Sequence, residues 1–328
     1  MAKRTLHYDM VNNNIIKGPV PICTRLLGNA TRRNSSGLLE VMAANTIRHE
    51  HDKNGNRRGW LIEEPQTNYL RSTDTFAVAG AWGPSAAMVV QPAAAIGPDG
   101  TMSMERLIDD NRGGTVTLDC GIFVSNGLTS TKYFADCWFM KDGCNFGWIQ
   151  TFGWTTPADG ESFFDLENGV VGTKHAGHSD SGMEDWGGGL WRCWIEFTND
   201  ATDSNGFIRV GPSEADASRS VPGDGTSSIF AYGGNLQASD ALRSFIDNPS
   251  ASVDALRGGD IISTADGSWR AADGGGTFYA KGVQEVIDTS DTNAMFSVQL
   301  GGLGADWSSS WNLMSFLAKE LYNFSALS

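Results

Sequence analysis

From about Asn68 to Gln237, short apolar or aromatic runs are separated by clusters of Gly, Asp, Asn and Ser. YFADCWFMKDG (133–143), FGWIQTFGW (146–154), SFFDLENGVVG (162–172), LWRCWIEFT (190–198), GFIRVG (206–211) and SIFAYGGNLQ (228–237) each read as a strand with its turn. Many short strands at this spacing, with few stretches of helical period, predict an all-β fold, a β-sandwich of the jelly-roll kind. SMERLIDD (103–110) is the one stretch here with the look of a helical turn. Within LWRCWIEF the period of two places Trp191, Cys193, Ile195 and Phe197 on one face and Arg192, Trp194 and Glu196 on the other. The first set is expected to be core.

The ends of the chain are patterned differently. Residues 1–58 are short apolar pieces broken at Asn-Asn-Asn (12–14), Gly-Pro (18, 19), Asn-Ser-Ser-Gly (34–37) and Lys-Asn-Gly-Asn (53–56). Such punctuation predicts an extended arm with small hairpins, too thin to own a core. After Gln237 come a mixed connector, a few candidate strands in GSWRAADGGGTFYAKGVQEVI and AMFSVQLGGLG, and then WNLMSFLAKELYNFSALS, where Leu313, Phe316, Leu317 and Leu321 fall at helical spacing. The expected organisation is an arm over residues 1–66, a jelly roll over 67–240, and a short C-terminal α/β segment over 241–328 that packs on the sandwich or on a neighbouring subunit.

Composition sharpens this picture. The 40 glycines, 11 tryptophans and 19% charged residues suit a turn-rich aromatic β protein. Charge is uneven: residues 1–58 hold ten Lys+Arg against four Asp+Glu, and the remaining 270 hold 14 against 34. A net of −20 repels phosphates and argues against nucleic acid as a partner of the bulk of the chain, while the basic segment suits docking on an acidic protein. No apolar run approaches the roughly 20 residues of a membrane span, and no apolar stretch follows the basic N-terminus, so assembly in a cytoplasm is expected. Five cysteines without a C-x-x-C pair imply free thiols rather than a disulfide framework or a common zinc site.

Candidate chemistry is sparse. Glu63 and Glu64 in GWLIEEPQTNYL are adjacent, so on a strand they face opposite ways and do not flank one substrate bond. Asp165 and Glu167 share a strand face and suit a solvated edge better than a hydrolytic pair. No nucleophile elbow, zinc-protease motif or phosphate-binding glycine loop occurs. Trp194 between Arg192 and Glu196 has the makings of a sugar-stacking platform, since indole takes the apolar face of a pyranose while charged neighbours bond its hydroxyls; its alternative is to be covered by the arm or another subunit. HAGHSDSGMEDWGGG (175–189) gathers His175, His178, Asp180, Glu184, Asp185 and Trp186 in a polar loop, either a plain surface loop or a binding rim. Its H-x-x-H spacing fixes no third metal ligand, so no metal and no cofactor are assigned.

GWLIEEPQTNYL resembles the L-I-E-E-x-x-T-N-L-L segment of bacteriophage tail and virion proteins. TRLLGNATRRNSSGLLEVMAANTIRHEHD (24–52) resembles the arm of that family. IGPDGTMSMERLIDD, ADCWFMKDG, FFDLENGVVG, GGGLWRCWIEFT and IFAYGGNLQ are similar, in the same serial order, to its later segments, over roughly residues 22–237. The resemblance implies a virion structural protein with a carbohydrate-binding-like (concanavalin- or lectin-like) jelly roll, a component of a tail fibre, spike or other appendage that recognises host surface glycan. It implies a homo-oligomer, commonly a trimer, bound to other virion proteins through the basic arm, and no enzyme. Glycan-binding candidates are then Trp194, Arg192, Glu196, Trp186, His178 and Asp185. Glu63 and Glu64 fall where the arm hands over to the sandwich, in strand-edge or hydrogen-bonding roles. The rival readings are a connector or head appendage whose jelly roll makes only protein contacts and, behind it, a polysaccharide depolymerase.

Overall fold

The computed structural model describes residues 22–25, 27–77 and 81–264, with the strands Thr5–Asp9, Asn14–Lys17, Gly267–Arg270, Phe278–Ala280, Val283–Ile287 and Ser297–Val298. The described residues are all-β, and no helix among them is long and apolar enough to cross a membrane. They fall into two compact units, residues 66–256 and residues 1–65 with 257–328. WNLMSFLAKELYNFSALS, read from its spacing as a helix, lies outside the described residues.

The unit 66–256 is a sandwich of two six-stranded antiparallel sheets, as its alternating runs predict. Its strands are β1 (Trp82–Pro84), β2 (Met88–Ala95), β3 (Met104–Asp109), β4 (Cys120–Ser125), β5 (Lys132–Lys141), β6 (Phe146–Phe152), β7 (Gly160–Asp165), β8 (Val170–Val171), β9 (Asp180–Gly187), β10 (Leu190–Thr198), β11 (Asn205–Ser213) and β12 (Ser228–Ala238). Sheet one runs β2-β3-β12-β5-β10-β9 and sheet two runs β8-β7-β6-β11-β4-β1. Each sheet mixes strands distant in sequence, the crossing pattern of a jelly roll. The inner faces meet in one core that includes Tyr133, Phe139, Ile149, Phe164, Ile195, Phe197 and Leu236. Burying side chains of this size contributes about 1.5–3 kcal/mol each.

SMERLIDD is a strand, not a helical turn. β3 is bonded on both sides, Arg106 opposite Gln91 of β2 and opposite Phe230 of β12, with Leu107 in the core. Eight residues cannot hold a helix by propensity alone, and two flanking strands supply the pairing that decides the matter.

In the other unit the sequence punctuation becomes hairpins. Asn34-Ser-Ser-Gly turns strand Ala30–Arg33 into Leu39–Met42, and Lys-Asn-Gly-Asn turns Arg48–His51 into Arg57–Ile62. These strands do not stand alone: Ile22–Thr24 pairs with Ile261–Thr264, Arg57–Ile62 with Phe278–Ala280, and Thr5–Asp9 with Val283–Ile287. At the centre lies an ion network sealed from water. Glu63 accepts from Arg48 Nη1 at 2.8 Å and Arg257 Nη1 at 2.6 Å, and Asp260 accepts from Arg25 Nη1 at 2.6 Å and also from Arg48. Burial opposes the charge of Arg48, but the carboxylates of Glu63 and Asp260 outweigh it and hold its pKa above the ordinary value. Glu63 therefore has the hydrogen-bonding role expected of it. Glu64 contributes its backbone carbonyl, which accepts from Arg257 Nη2 at 2.6 Å.

All five cysteines are free and buried. Burial, reinforced by Asp260, pushes the Cys23 thiol up to about 11, and burial pushes Cys144 up to about 12. Neither is poised as a nucleophile.

Candidate functional site

The outer face of sheet one carries most of the residues singled out from sequence. Register sets Arg192 opposite Trp138, Trp194 opposite Asp136 and Glu196 opposite Phe134, so the predicted alternation along β10 holds. What lies on that face differs from the expected platform. Arg192 is 6% exposed, and it grips Asp136 with both arms at 2.9 and 3.0 Å. It also donates to the carbonyl of Arg243 at 2.8 Å and lies 5.1 Å from the ring centroid of Trp138. The reason is the connector after β12: Phe245 packs edge-on to Trp138 at 5.0 Å, and both rings are sealed from water. Arg192 is thereby a structural ion, committed before any ligand arrives.

The other candidates divide. Trp194 is half-buried, tilted against Phe134 at 5.6 Å, and its indole lies flat over Gly182, where an added Cβ would come within 2.4 Å of the ring. Glu196 accepts from Ser179 Oγ at 2.6 Å and Lys132 Nζ at 2.9 Å. Trp186 packs edge-on to Trp138 at 5.3 Å and donates from Nε1 to Glu184. Asp185 sits on the opposite side of β9 and caps the turn by accepting from the Gly187 amide at 2.7 Å. His178 is interior, fully sealed from water, its ring nitrogens bonded to Ser162 Oγ at 2.7 Å and Thr151 Oγ1 at 3.0 Å. Burial, then the charges of His175 and Lys174, lowers its pKa to about 3, so the ring is neutral. A polar histidine in a glycine-rich loop reads as a rim residue, yet two hydroxyls from β6 and β7 satisfy it inside the core. Among the described residues no group of three His, Cys, Asp or Glu is placed to hold a metal ion.

Sheet two presents a different outer face. Two adjacent rungs cross it. Phe152 of β6, Phe207 of β11 and Phe123 of β4 stand opposite one another, and two residues along the strands lie Glu161, Gln150, Arg209 and Gly121. Phe123 and Phe207 lie 5.0 Å apart and Phe207 and Phe152 5.9 Å, with Phe123 52% exposed. Glu161, Gln150 and Arg209 of the polar rung line an open cleft of about 530 Å³, together with Lys174 and His175 of one loop and with Arg219. Rungs two residues apart are separated by about 7 Å, the scale of one sugar ring.

Gln150 is the distinctive group in this cleft. It is 2% exposed, and its amide nitrogen donates to Glu161 at 3.1 Å, but its amide oxygen has no hydrogen-bond partner among the described residues. Such an acceptor costs about 1–3 kcal/mol. Arg209 is held flat over Phe152 at 3.5 Å from the ring centroid. Trp148, in the next rung, is sealed because Gly211 lets its indole lie on β11; a Cβ there would stand 2.1 Å from the Leu118 carbonyl.

Sequence reasoning missed this face, though the signal was present. The period of two applied to FGWIQTF puts Phe146, Trp148, Gln150 and Phe152 together, and applied to GFIRVG it puts Phe207 with Arg209. Asp165 and Glu167 are no pair: β7 ends at Asp165, whose carboxylate accepts from the Glu167 and Asn168 amides, while Glu167 pairs with Lys141.

No family model matches the chain, and no curated protein does. Several solved structures are similar to it, among them the following three. TmCBM61 in complex with β-1,4-galactotriose is 15% identical, with a TM-score of 0.30, over 54% of this chain and 99% of that one. A Clostridium thermocellum xylanase 10B fragment (CBM22-1 and GH10 modules) with xylohexaose is 10% identical, with a TM-score of 0.27, over 56% of this chain and 30% of that one. A putative sugar-binding protein of Bacteroides thetaiotaomicron is 9% identical, with a TM-score of 0.25, over 52% of this chain and 100% of that one. Scores of this size decide neither the topology nor the ligand of this chain, which rest on its own strands and side chains.

Proposed function

We propose that this chain is a glycan-binding structural protein, with the cleft on sheet two as its sugar site. The observation that carries the reading is the buried, unpaired amide oxygen of Gln150, a residue lining an open cleft beside a rung of phenylalanines that reaches solvent at Phe123. Aromatic faces for pyranose rings and a few fixed polar groups for hydroxyls are what a sugar site requires. The protein acts by adsorption, not catalysis.

The wider setting rests on the serial order of motifs from TRLLGNATRRN to IFAYGGNLQ. It supports a phage virion appendage, a tail fibre or spike subunit assembled in the host cytoplasm, trimeric, and seated on other virion proteins through its basic arm. The competing reading, a connector with a jelly roll that makes only protein contacts, draws on the half-buried Trp186 and Trp194 of sheet one.

A glycan array probed with the full chain tests the proposal. Phe123→Ala and Gln150→Ala should each weaken binding by about tenfold, the worth of a stacking contact or a recovered hydrogen bond, with near-UV circular dichroism unchanged. Trp194→Ala should leave glycan binding as it was. Loss of binding in the Trp194 variant alone would move the site to sheet one, and a chain that binds no glycan would hand the function to the connector reading.

A further inference from the structure

We infer that the sheet-two cleft selects glycans carrying a carboxylate on the sugar ring, an inference that rests on the sugar-site reading above. The unit 66–256 is strongly acidic, with ten Lys+Arg against 24 Asp+Glu. Three of those ten cations, Lys174, Arg209 and Arg219, line this one cleft together with His175. The two carboxylates there are already engaged. Asp159 accepts from the Gly153 amide at 2.7 Å, and Glu161 takes Gln150 at 3.1 Å and Arg219 at 3.4 Å.

The two arginines, by contrast, sit in long, partly exposed ion pairs, Arg219 with Glu161 and Arg209 with Asp119. Arg209 stands 3.8 Å from Asp119, and both side chains are about a fifth exposed (22% and 21%). Lys174 donates to the backbone carbonyls of His178 and Ser179. The bidentate, buried Arg192–Asp136 pair shows how this fold holds an arginine it means to immobilise. Loose, wet pairs cost little to exchange for a ligand anion.

Geometry then narrows the anion. Arg209 follows Phe207 by two residues on β11, so a pyranose on the Phe123–Phe207 rung has Arg209 one rung away. The guanidinium, held on the Phe152 ring, offers the planar fork that pairs with a carboxylate. An acidic module repels polyanions at a distance, so selectivity must come from this local constellation rather than from overall charge.

The test uses the full chain on an array of matched pairs: polygalacturonate against its methyl ester, and sialylated against desialylated oligosaccharides. The acidic member of a pair should bind about tenfold or more tightly, and Arg209→Gln with Arg219→Gln should erase that preference, bringing the acidic member down to its neutral partner. Both side chains are partly exposed, and an unchanged melting temperature confirms folding. Equal binding of acidic and neutral partners overturns the inference but leaves the sugar site standing. Dextran sulfate bound as tightly as the uronate overturns it in favour of general polyanion binding. No binding to any glycan overturns both.

Discussion

Glu63→Gln removes one negative charge from the sealed ion network and leaves its geometry nearly unchanged. Arg48 and Arg257 both donate to this carboxylate, and the side chains of all three residues are 0% exposed. Without it, Arg48 and Arg257 lose the carboxylate they share, and Asp260, which also accepts from Arg48, is already shared with Arg25. Breaking a buried pair from one side costs about 3–5 kcal/mol, because the remaining charge keeps its desolvation penalty and loses its partner. Glutamine retains one acceptor, which favours the lower figure, about 3 kcal/mol. Hydrogen exchange of the intact chain reads this locally. Amides in Arg48–His51 and Arg57–Ile62 should lose protection by about 100-fold, the equivalent of that energy. Glu64→Gln is the control, since the Glu64 backbone carbonyl, which accepts from Arg257, is kept, and it should change protection by less than about fivefold, as expected of a partly exposed charge. Protection within threefold of wild type in the Glu63 variant would refute the view that this network holds the strands together.

Acid should expose His178. Its folded pKa of about 3 lies below the unfolded value, so the unfolded chain binds the extra proton first, and stability present above about pH 6.5 is lost as pH falls toward 3. At pH 5 the loss is about 2 kcal/mol, and His178→Gln should flatten that part of a urea-midpoint-against-pH curve relative to wild type. Gly211→Ala should destabilise the sandwich by about 2 kcal/mol or more, because the new Cβ meets a backbone oxygen and the Trp148 ring that cannot both retreat; a melting curve superimposable on wild type would contradict the close packing.

The sandwich was legible because its runs obey a period of two. LWRCWIEFT became a strand with the predicted alternation, FGWIQTF became another, and the turn clusters at 34–37 and 53–56 became hairpins. SMERLIDD misled because over eight residues Met104, Leu107 and Ile108 satisfy the helical spacing, while strand pairing with β2 and β12 is invisible locally. The fate of Glu63 was half legible. Adjacency excluded a catalytic pair, but its partners Arg48 and Arg257 lie 15 and 194 residues away, and no local pattern joins them.

The site was harder to read for a reason that period two itself supplies. Alternation separates core from outer positions on every strand, so a two-sheet sandwich offers two outer faces, and sequence alone weights them by composition. Trp194 between Arg192 and Glu196 outbids Phe207 beside Arg209 on that measure. What reverses the order is tertiary. The connector after β12 brings Phe245 over Trp138 and the Arg243 carbonyl to Arg192, which closes the centre of sheet one and converts its arginine into a structural ion. Sheet two keeps polar residues along an open cleft, with one buried oxygen of Gln150 unpaired. A tryptophan that is half-covered and a phenylalanine that is half-exposed differ little in area, and buried unpaired polar atoms occur on both faces, Gln150 Oε1 on sheet two and Gln237 Oε1 on sheet one. What favours sheet two as the proposed sugar site is access, since its polar residues line an open cleft while the connector covers the centre of sheet one.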